Sequence, residues 1–164
     1  MFKVGIIGPE STGKSSLASY LATLYKGTCV PEYARTYVER FVESRKSKVE
    51  RWQDIITYDD VCEIARHQIE ELKSQSDDIV FFDTELIVTK VWFEYAFGHV
   101  PEWLDEALVR YPMDIYLLTY PDLPWIPDPA RSNGSDTIRL ELFERYEAEV
   151  QALGIPYFII RHED

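Results

Sequence analysis

Apolar positions along this chain follow two alternating rhythms. Four short runs are apolar almost throughout: Phe2 to Ile7, Ile79 to Phe82, Ile115 to Thr119 and Pro156 to Ile160. Such runs predict strands buried on both faces, as in a parallel sheet. A shorter strand is predicted over Thr28 to Glu32. Between them the apolar residues recur at helical spacing. Leu17, Leu21 and Leu24 predict a helix over Ser15 to Lys26, and Tyr37, Val38, Phe41 and Val42 a second one. Val61, Ile64, Ala65, Gln68, Ile69 and Leu72 predict a third, capped by Tyr58-Asp59-Asp60 and ending near Ser76. Helices are further predicted over Leu86 to Phe97, over Glu102 to Arg110, and through Ile138, Leu142, Tyr146, Val150 and Leu153, where Gly154 ends the last one. Ser44 to Arg51 is charged and reads as a solvated helix end or loop; Tyr120 to Ser135 is a loop rich in Pro and Asp.

Strand and helix alternate without an internal repeat, a low-complexity stretch or a linker. That order predicts a doubly wound α/β sandwich: five parallel strands in one sheet, helices on both faces, one domain over residues 1–164. In such sheets ligands bind beyond the carboxyl ends of the strands. The turns after the strands are therefore where chemistry is expected.

The first of those turns carries the sharpest signal. Gly8-Pro9-Glu10-Ser11-Thr12-Gly13-Lys14-Ser15 fits G-x-x-x-x-G-K-[ST], the phosphate-binding P-loop. By chance the pattern occurs in roughly one chain of this length in a few hundred. Here it also lies between a predicted strand and a predicted helix, the setting it requires. The glycines admit turns that a side chain blocks. The amides from Glu10 through Ser16, after the turn at Pro9, then surround an anion, Lys14 adds a full positive charge near the β- and γ-phosphates, and the Ser15 hydroxyl is placed for Mg²⁺. The fold class is thus a P-loop NTPase sandwich, nucleoside-kinase-like in size, with ATP and Mg²⁺ as expected cofactors.

Composition narrows the class further. The chain has 17 basic and 29 acidic residues, a net charge of −12. That field repels nucleic acid, and no basic stripe offsets it. No apolar run approaches a membrane span. The start runs directly into a strand, so no signal peptide is expected. Cys29 and Cys62 lack metal-ligand spacing and read as reduced thiols of a cytoplasmic protein. No Asn-Lys-x-Asp run selects guanine, which speaks against a regulatory GTPase, and the length is short for a typical AAA+ module with its helical lid domain.

Other candidates cluster at the remaining strand ends. Asp83 closes the third strand, where a carboxylate can hold Mg²⁺ or take a proton from an acceptor hydroxyl; it can also cap the next helix, with Thr84 and Glu85 following. Glu32 and Arg35, three residues apart, share a helical face and can bind sugar hydroxyls or simply pair with each other. Arg131 and Arg139 lie in or beside a lid loop of about residues 120–139. There they can neutralise charge on a transferring phosphoryl, or pair with Asp128 and Asp136. Trp125 can stack on a base or anchor the loop. Trp92, with Phe93, Tyr95 and Phe97, reads as core, and His67, His99 and His162 form no metal triad.

Taken with their order and spacing, these blocks resemble the ribosylnicotinamide kinase domain of NadR-type proteins. The resemblance runs through the P-loop, Pro31-Glu32-Tyr33-Ala34-Arg35, Tyr58-Asp59-Asp60, Ile64-Ala65-Arg66-His67-Gln68 and Phe82-Asp83-Thr84-Glu85. It continues through Phe97-Gly98-His99-Val100-Pro101 and Pro124-Trp125-Ile126-Pro127-Asp128-Pro129-Ala130-Arg131-Ser132. It implies ATP-dependent phosphorylation of the 5′-hydroxyl of nicotinamide riboside. Glu32, Tyr33 and Arg35 would then belong to the nucleoside site, Asp83 would sit between Mg²⁺ and the acceptor hydroxyl, and Arg131 and Arg139 would be lid arginines. Two departures stand out. NadR proteins often carry a Trp where this chain has Pro31. A stacking face worth on the order of 1 kcal/mol is then missing unless Trp125 or Tyr58 supplies it. The chain also carries neither an adenylyltransferase nor a helix-turn-helix domain, so a regulator role is not expected to transfer.

The reading is an ATP- and Mg²⁺-dependent nucleoside kinase with Lys14, Asp83, Glu32, Arg131 and Arg139 as its chemical residues. Two alternatives stay open: a kinase for another nucleoside, and an ATPase-like nucleotide switch. The oligomeric state is equally open, a homo-oligomer included.

Overall fold

A computed structural model of the chain describes residues 1–42, 55–124 and 136–162, the side chain of Val42 excepted. The charged stretch Ser44 to Arg51 lies outside the described residues, as does most of the loop expected over Tyr120 to Ser135. The strands are β1 (Phe2–Ile7), β2 (Thr28–Val30), β3 (Ile79–Asp83), β4 (Ile115–Thr119) and β5 (Tyr157–Ile160). The helices are α1 (Lys14–Leu24), α2 (Tyr33–Tyr37), α3 (Tyr58–Ser74), α4 (Leu86–Phe97), α5 (Glu102–Arg110) and α6 (Asp136–Leu153). A π-helical turn, Val38–Val42, continues α2.

All pairings are parallel and the order is β2-β3-β1-β4-β5. The chain thus passes from β1 to the edge strand β2, returns inward to β3, then crosses β1 to lay down β4 and β5. Connections leave β1 and β4 in opposite directions, which opens a crevice at their carboxyl ends.

Strand alternation divides the core. Val4, Ile6 and Phe81 point to the α1 side with Ala18 and Ala22. Ile7, Val80, Phe82 and Leu118 point to the opposite side, with Leu86, Phe93, Leu104 and Phe143 from α4 to α6. Of the expected α1 stripe, Leu17 and Leu21 pack half-buried on the core and Leu24 does not. Leu24 is exposed, and the buried positions are Ala18 and Ala22. Two small residues four apart let the helix lie close on the sheet, as a phosphate loop feeding directly into it requires.

Boundaries differ from expectation where local hydrogen bonds compete. Thr57, not the Tyr58-Asp59-Asp60 run, is the N-cap of α3: its side chain accepts from the Asp60 amide, and Asp60 Oδ2 accepts from the Thr57 amide at 2.8 Å. Asp60 Oδ1 also accepts from the Tyr37 hydroxyl at 2.7 Å, tying α2 to α3. Gln68 sits level with Thr89, whose hydroxyl donates to its Oε1 at 2.6 Å, and Tyr58 sits level with Phe93 and Phe97. The helices α3 and α4 therefore run antiparallel. The second strand stops at Val30, which leaves Pro31 and Glu32 in the turn above the sheet.

Replacing Thr57 by Ala is expected to cost about 1 kcal/mol, the worth of an N-cap. Asp60→Ala is expected to cost more, because the Tyr37 bond is lost with the capping box. Urea denaturation of the two variants reads the difference, and equal losses would mean that the Tyr37 bond adds nothing.

Candidate active site

The phosphate loop is shaped by contact with the end of β4. A Cβ placed on Gly8 would lie 2.1 Å from Thr119 Oγ1 and 2.7 Å from the Thr119 carbonyl oxygen, so no side chain fits. The Thr12 hydroxyl donates to the Pro9 carbonyl at 2.7 Å and meets the Thr119 hydroxyl at 2.6 Å. Since the Thr12 proton goes to Pro9, Thr119 is the donor to Thr12. Gly13 and Ser11 both take left-handed backbone, φ 82° and 58°. For Gly13 this is free; for Ser11 it costs on the order of 1 kcal/mol. Glu10, Thr12 and Lys14 are buried, whereas Ser15 and Ser16 are exposed on the first turn of α1.

Lys14 Nζ donates to the Pro9 carbonyl at 2.8 Å, folding back over the loop. Ser15 Oγ donates to Asp83 Oδ2 at 2.6 Å. The other Asp83 oxygen is buried and has no hydrogen-bond partner among the described residues. Asp83 is not the helix cap: that position belongs to Glu85, whose side chain accepts from the Ile87 amide at 2.9 Å. Thr84, between them, is left-handed with φ 68°. This turn aims the Asp83 carboxylate at the loop and the Glu85 carboxylate into the protein. Burial pushes Glu85 up to about 7, against hydrogen bonds from Ile87 and Tyr116 that pull it down.

The sheet order brings Asp83 between the phosphate loop and the β2 turn. Adjacent strands are about 4.8 Å apart, so the ends of β1 and β2 are separated by about 10 Å with β3 between. On the far side Glu32 is buried at the start of α2, 3.9 Å from Arg35 Nε. Tyr33 packs edge-on against His67 of α3, ring centroids 3.5 Å apart. Burial lowers the His67 pKa, and Glu71 Oε1 lies 3.7 Å from its Nε2. Tyr58 is engaged with Phe93, Phe97 and His99 instead. Trp125 and Arg131 lie outside the described residues.

Arg139 departs furthest from expectation. It is not on a loop: α6 begins at Asp136, so Arg139 lies in its first turn and is 2% exposed. Its guanidinium donates to the Leu123 carbonyl at 2.5 Å and to Asp136 Oδ1 at 3.0 Å, and faces the carbonyls of Glu10 and Ser11 at 3.4 and 3.5 Å. The expected pairing with Asp136 is present. Thr119 is the residue the sequence reading missed. It closes an apolar strand as Asp83 does, and the rule of strand ends would have singled it out.

Among the described residues no group of three His, Cys, Asp or Glu is placed to share a metal. The oxygen pair of Ser15 and Asp83 nevertheless suits a hard cation that keeps most of its water and shares a nucleotide's phosphates.

Gly8→Ala is expected to abolish nucleotide binding, read by calorimetric titration with ADP. Thr119→Ala will not restore it, because the backbone oxygen at 2.7 Å remains; restoration would show that the hydroxyl alone sets the constraint. Glu85 generates a pH dependence. Its folded pKa of about 7 lies above the ordinary 4.5, so the folded state holds the proton longer than the unfolded chain does. Stability from this group is full below about 4.5 and falls as pH rises through 7, by on the order of 3 kcal/mol. Denaturation midpoints should drop between about pH 4.5 and 7 and level off above, and Glu85→Gln should flatten that slope, leaving what Glu71, also raised to about 7 by burial, and Glu94, raised as well, contribute, with the lowered His67 acting in the opposite sense. An unchanged slope in Glu85→Gln would remove Glu85 as its source.

Comparison with known proteins agrees with this construction. A family model described as an AAA domain matches residues 3–164. The trifunctional NAD biosynthesis/regulator protein NadR of Escherichia coli (strain K12) is 26% identical over 161 residues, 98% of this chain and 38% of that protein. The crystal structure of NadR protein in complex with NAD and AMP-PNP superposes with a TM-score of 0.72 at 25% identity, over 96% of this chain and 43% of that one. The deoxyadenosine kinase of M. mycoides, bound to dCMP and dCDP, superposes at 0.64 over 99% of this chain and 91% of that one; at 13% identity this likeness is one of fold. The chain spans less than half the length of the NadR proteins it matches. The resemblance to NadR-type proteins is borne out, as is the nucleoside-kinase-like P-loop fold. The length argument against a typical AAA+ module bears on its separate helical lid domain, not on the α/β unit matched. With a phosphate loop built on the β1–β4 crevice and a family match over nearly all its residues, the chain belongs to the AAA domain family (AAA_28) and has the fold of a P-loop phosphotransferase.

Proposed function

We propose that this chain is a kinase that transfers the γ-phosphoryl of ATP to the 5′-hydroxyl of a small nucleoside, nicotinamide riboside first, as one domain in the cytoplasm. The observation that carries the reading is the position of Asp83. It is bonded to Ser15 of the phosphate loop, holds a second buried oxygen without a partner among the described residues, and stands between that loop and the Glu32–Arg35 turn. The spacing of about 10 Å between the outer two leaves room for a phosphoryl and a ribose with the carboxylate at their junction. The NadR relatives and the phosphotransferase fold support the same class.

In this reading the loop amides of Gly8 to Ser16 hold the β-phosphate, and Lys14 leaves the Pro9 carbonyl to meet the β- and γ-oxygens. Ser15 and Asp83 would hold Mg²⁺, which supplies charge neutralisation on the phosphates. Asp83 or Glu32 takes the proton of the attacking hydroxyl. Glu32, Tyr33 and Arg35 orient the ribose, Trp125 stacks on a ring, and Arg131 and Arg139 neutralise charge on the transferring phosphoryl. Phosphoryl transfer rests on positioning and charge rather than covalent chemistry, and these are the groups that provide both. The Tyr33–His67 pair is an aromatic surface beside the β2 turn, where Pro31 replaces a stacking Trp. A second reading, an ATPase-like nucleotide switch, draws on the AAA family match.

A nucleoside panel with Mg·ATP decides between them. Nicotinamide riboside should raise ATP turnover well above the basal rate and yield a phosphorylated product visible by mass spectrometry. Lys14→Ala should lose nearly all turnover while its melting curve stays cooperative. A panel that leaves turnover flat, with no phosphorylated nucleoside, sinks the kinase reading and favours the switch.

A further inference from the structure

We propose that Arg139 is a positioning residue of the phosphate loop, which strengthens the loop's hold on a nucleotide's β-phosphate from behind, through the loop's own peptide units. The Glu10 carbonyl and the Ser11 amide belong to one peptide unit, and the Ser11 carbonyl and Thr12 amide to the next. In a phosphate loop the amides turn inward to the anion and the carbonyls turn out. Arg139 faces both of those outward carbonyls with one nitrogen, while its other nitrogen is fastened to the Leu123 carbonyl and Asp136.

The 3.4 and 3.5 Å contacts are long for hydrogen bonds, so charge rather than bond geometry carries the effect. Arg139 is 2% exposed, and a buried guanidinium acts at reduced screening. A cation at the carbonyl end of a peptide unit polarises it and makes its N–H a stronger donor at the other end. Asp136, the acidic partner, has a side chain 88% exposed and offsets that charge only from the solvent side.

A second observation points the same way. Ser11, the residue between the two carbonyls, has φ 58°, a conformation that a residue with a Cβ does not favour. The guanidinium thus braces the part of the loop least able to hold itself. Its planar fork reaches the loop with one nitrogen and the β4–α6 connection with the other, a span that the single ammonium of Lys cannot reproduce.

The inference concerns nucleotide binding alone and does not depend on which acceptor the protein uses, so a flat nucleoside panel leaves it standing. It is tested by calorimetric titration of the full chain with Mg·ADP and with AMP, without any nucleoside, for the wild type, Arg139→Lys and Arg139→Met. Leu142→Ala, a core truncation on the same helix, is the control for loss of stability. Arg139→Met should weaken ADP at least tenfold and AMP far less, so that the ADP-to-AMP affinity ratio collapses. Arg139→Lys should fall between, and Leu142→Ala should keep the wild-type ratio at a temperature where it is folded. Should Arg139→Met not fold, the ratio in Arg139→Lys decides. A wild-type ratio in folded Arg139→Lys and Arg139→Met overturns the proposal, as does a parallel loss of ADP and AMP matched by Leu142→Ala, or a wild type that binds no ADP.

Discussion

The ends of β1 and β4 approach so closely that the residue between them can carry no side chain. Gly8 leaves room for the Thr119 hydroxyl and carbonyl, and for nothing else. That constraint starts the turn that sends the chain outward and back into α1. The loop that results is a backbone turned outside in, with amides gathered and carbonyls displayed. Its walls are then set by neighbours: Thr12 on Thr119, Lys14 on Pro9, Ser15 on Asp83. An anion site of this kind has to be assembled from both halves of the sheet, because no single turn supplies walls on every side.

The strand order turns this assembly into a line. Reading across the carboxyl edge, the Glu32 turn, Asp83, the phosphate loop and Thr119 follow the order β2-β3-β1-β4. In the proposed kinase, a donor phosphate held over β1 and an acceptor held over β2 would meet above β3, where the carboxylate is. The left-handed Thr84 separates the two carboxylates of that turn, one toward the loop and one into the interior. Glu85 inside caps α4 and is held near neutrality by burial, while Asp83 keeps a short hydrogen bond to the loop. Two acidic residues two positions apart thereby do different work.

Acidic residues outnumber basic ones by 29 to 17, yet the basic residues that matter lie inside. Lys14 and Arg139 are both buried, one within the phosphate loop and one against its outer face. Arginine suits the second position because its fork can bond to the β4–α6 connection while its charge faces the loop. Arg139 lies in the first turn of α6, and its side chain reaches back to the carbonyls of Glu10 and Ser11 in the phosphate loop.

Much of this was legible in the residues themselves. Continuous apolar runs named the strands, and a Gly-rich turn between a strand and a helix named the phosphate site, because both signals are local and each follows from hard sterics or burial. Asp83 was legible as the polar residue ending a buried strand. The helix boundaries of α4, α5 and strand β4 followed from the same periodicity. Tertiary structure alone decided which residue caps α4, that Leu24 faces water while Ala18 and Ala22 pack, that Thr119 closes the loop, and that Arg139 lies behind it. The last two depend on residues more than a hundred positions apart meeting across one sheet, and no local pattern encodes which side of a strand a distant partner will occupy.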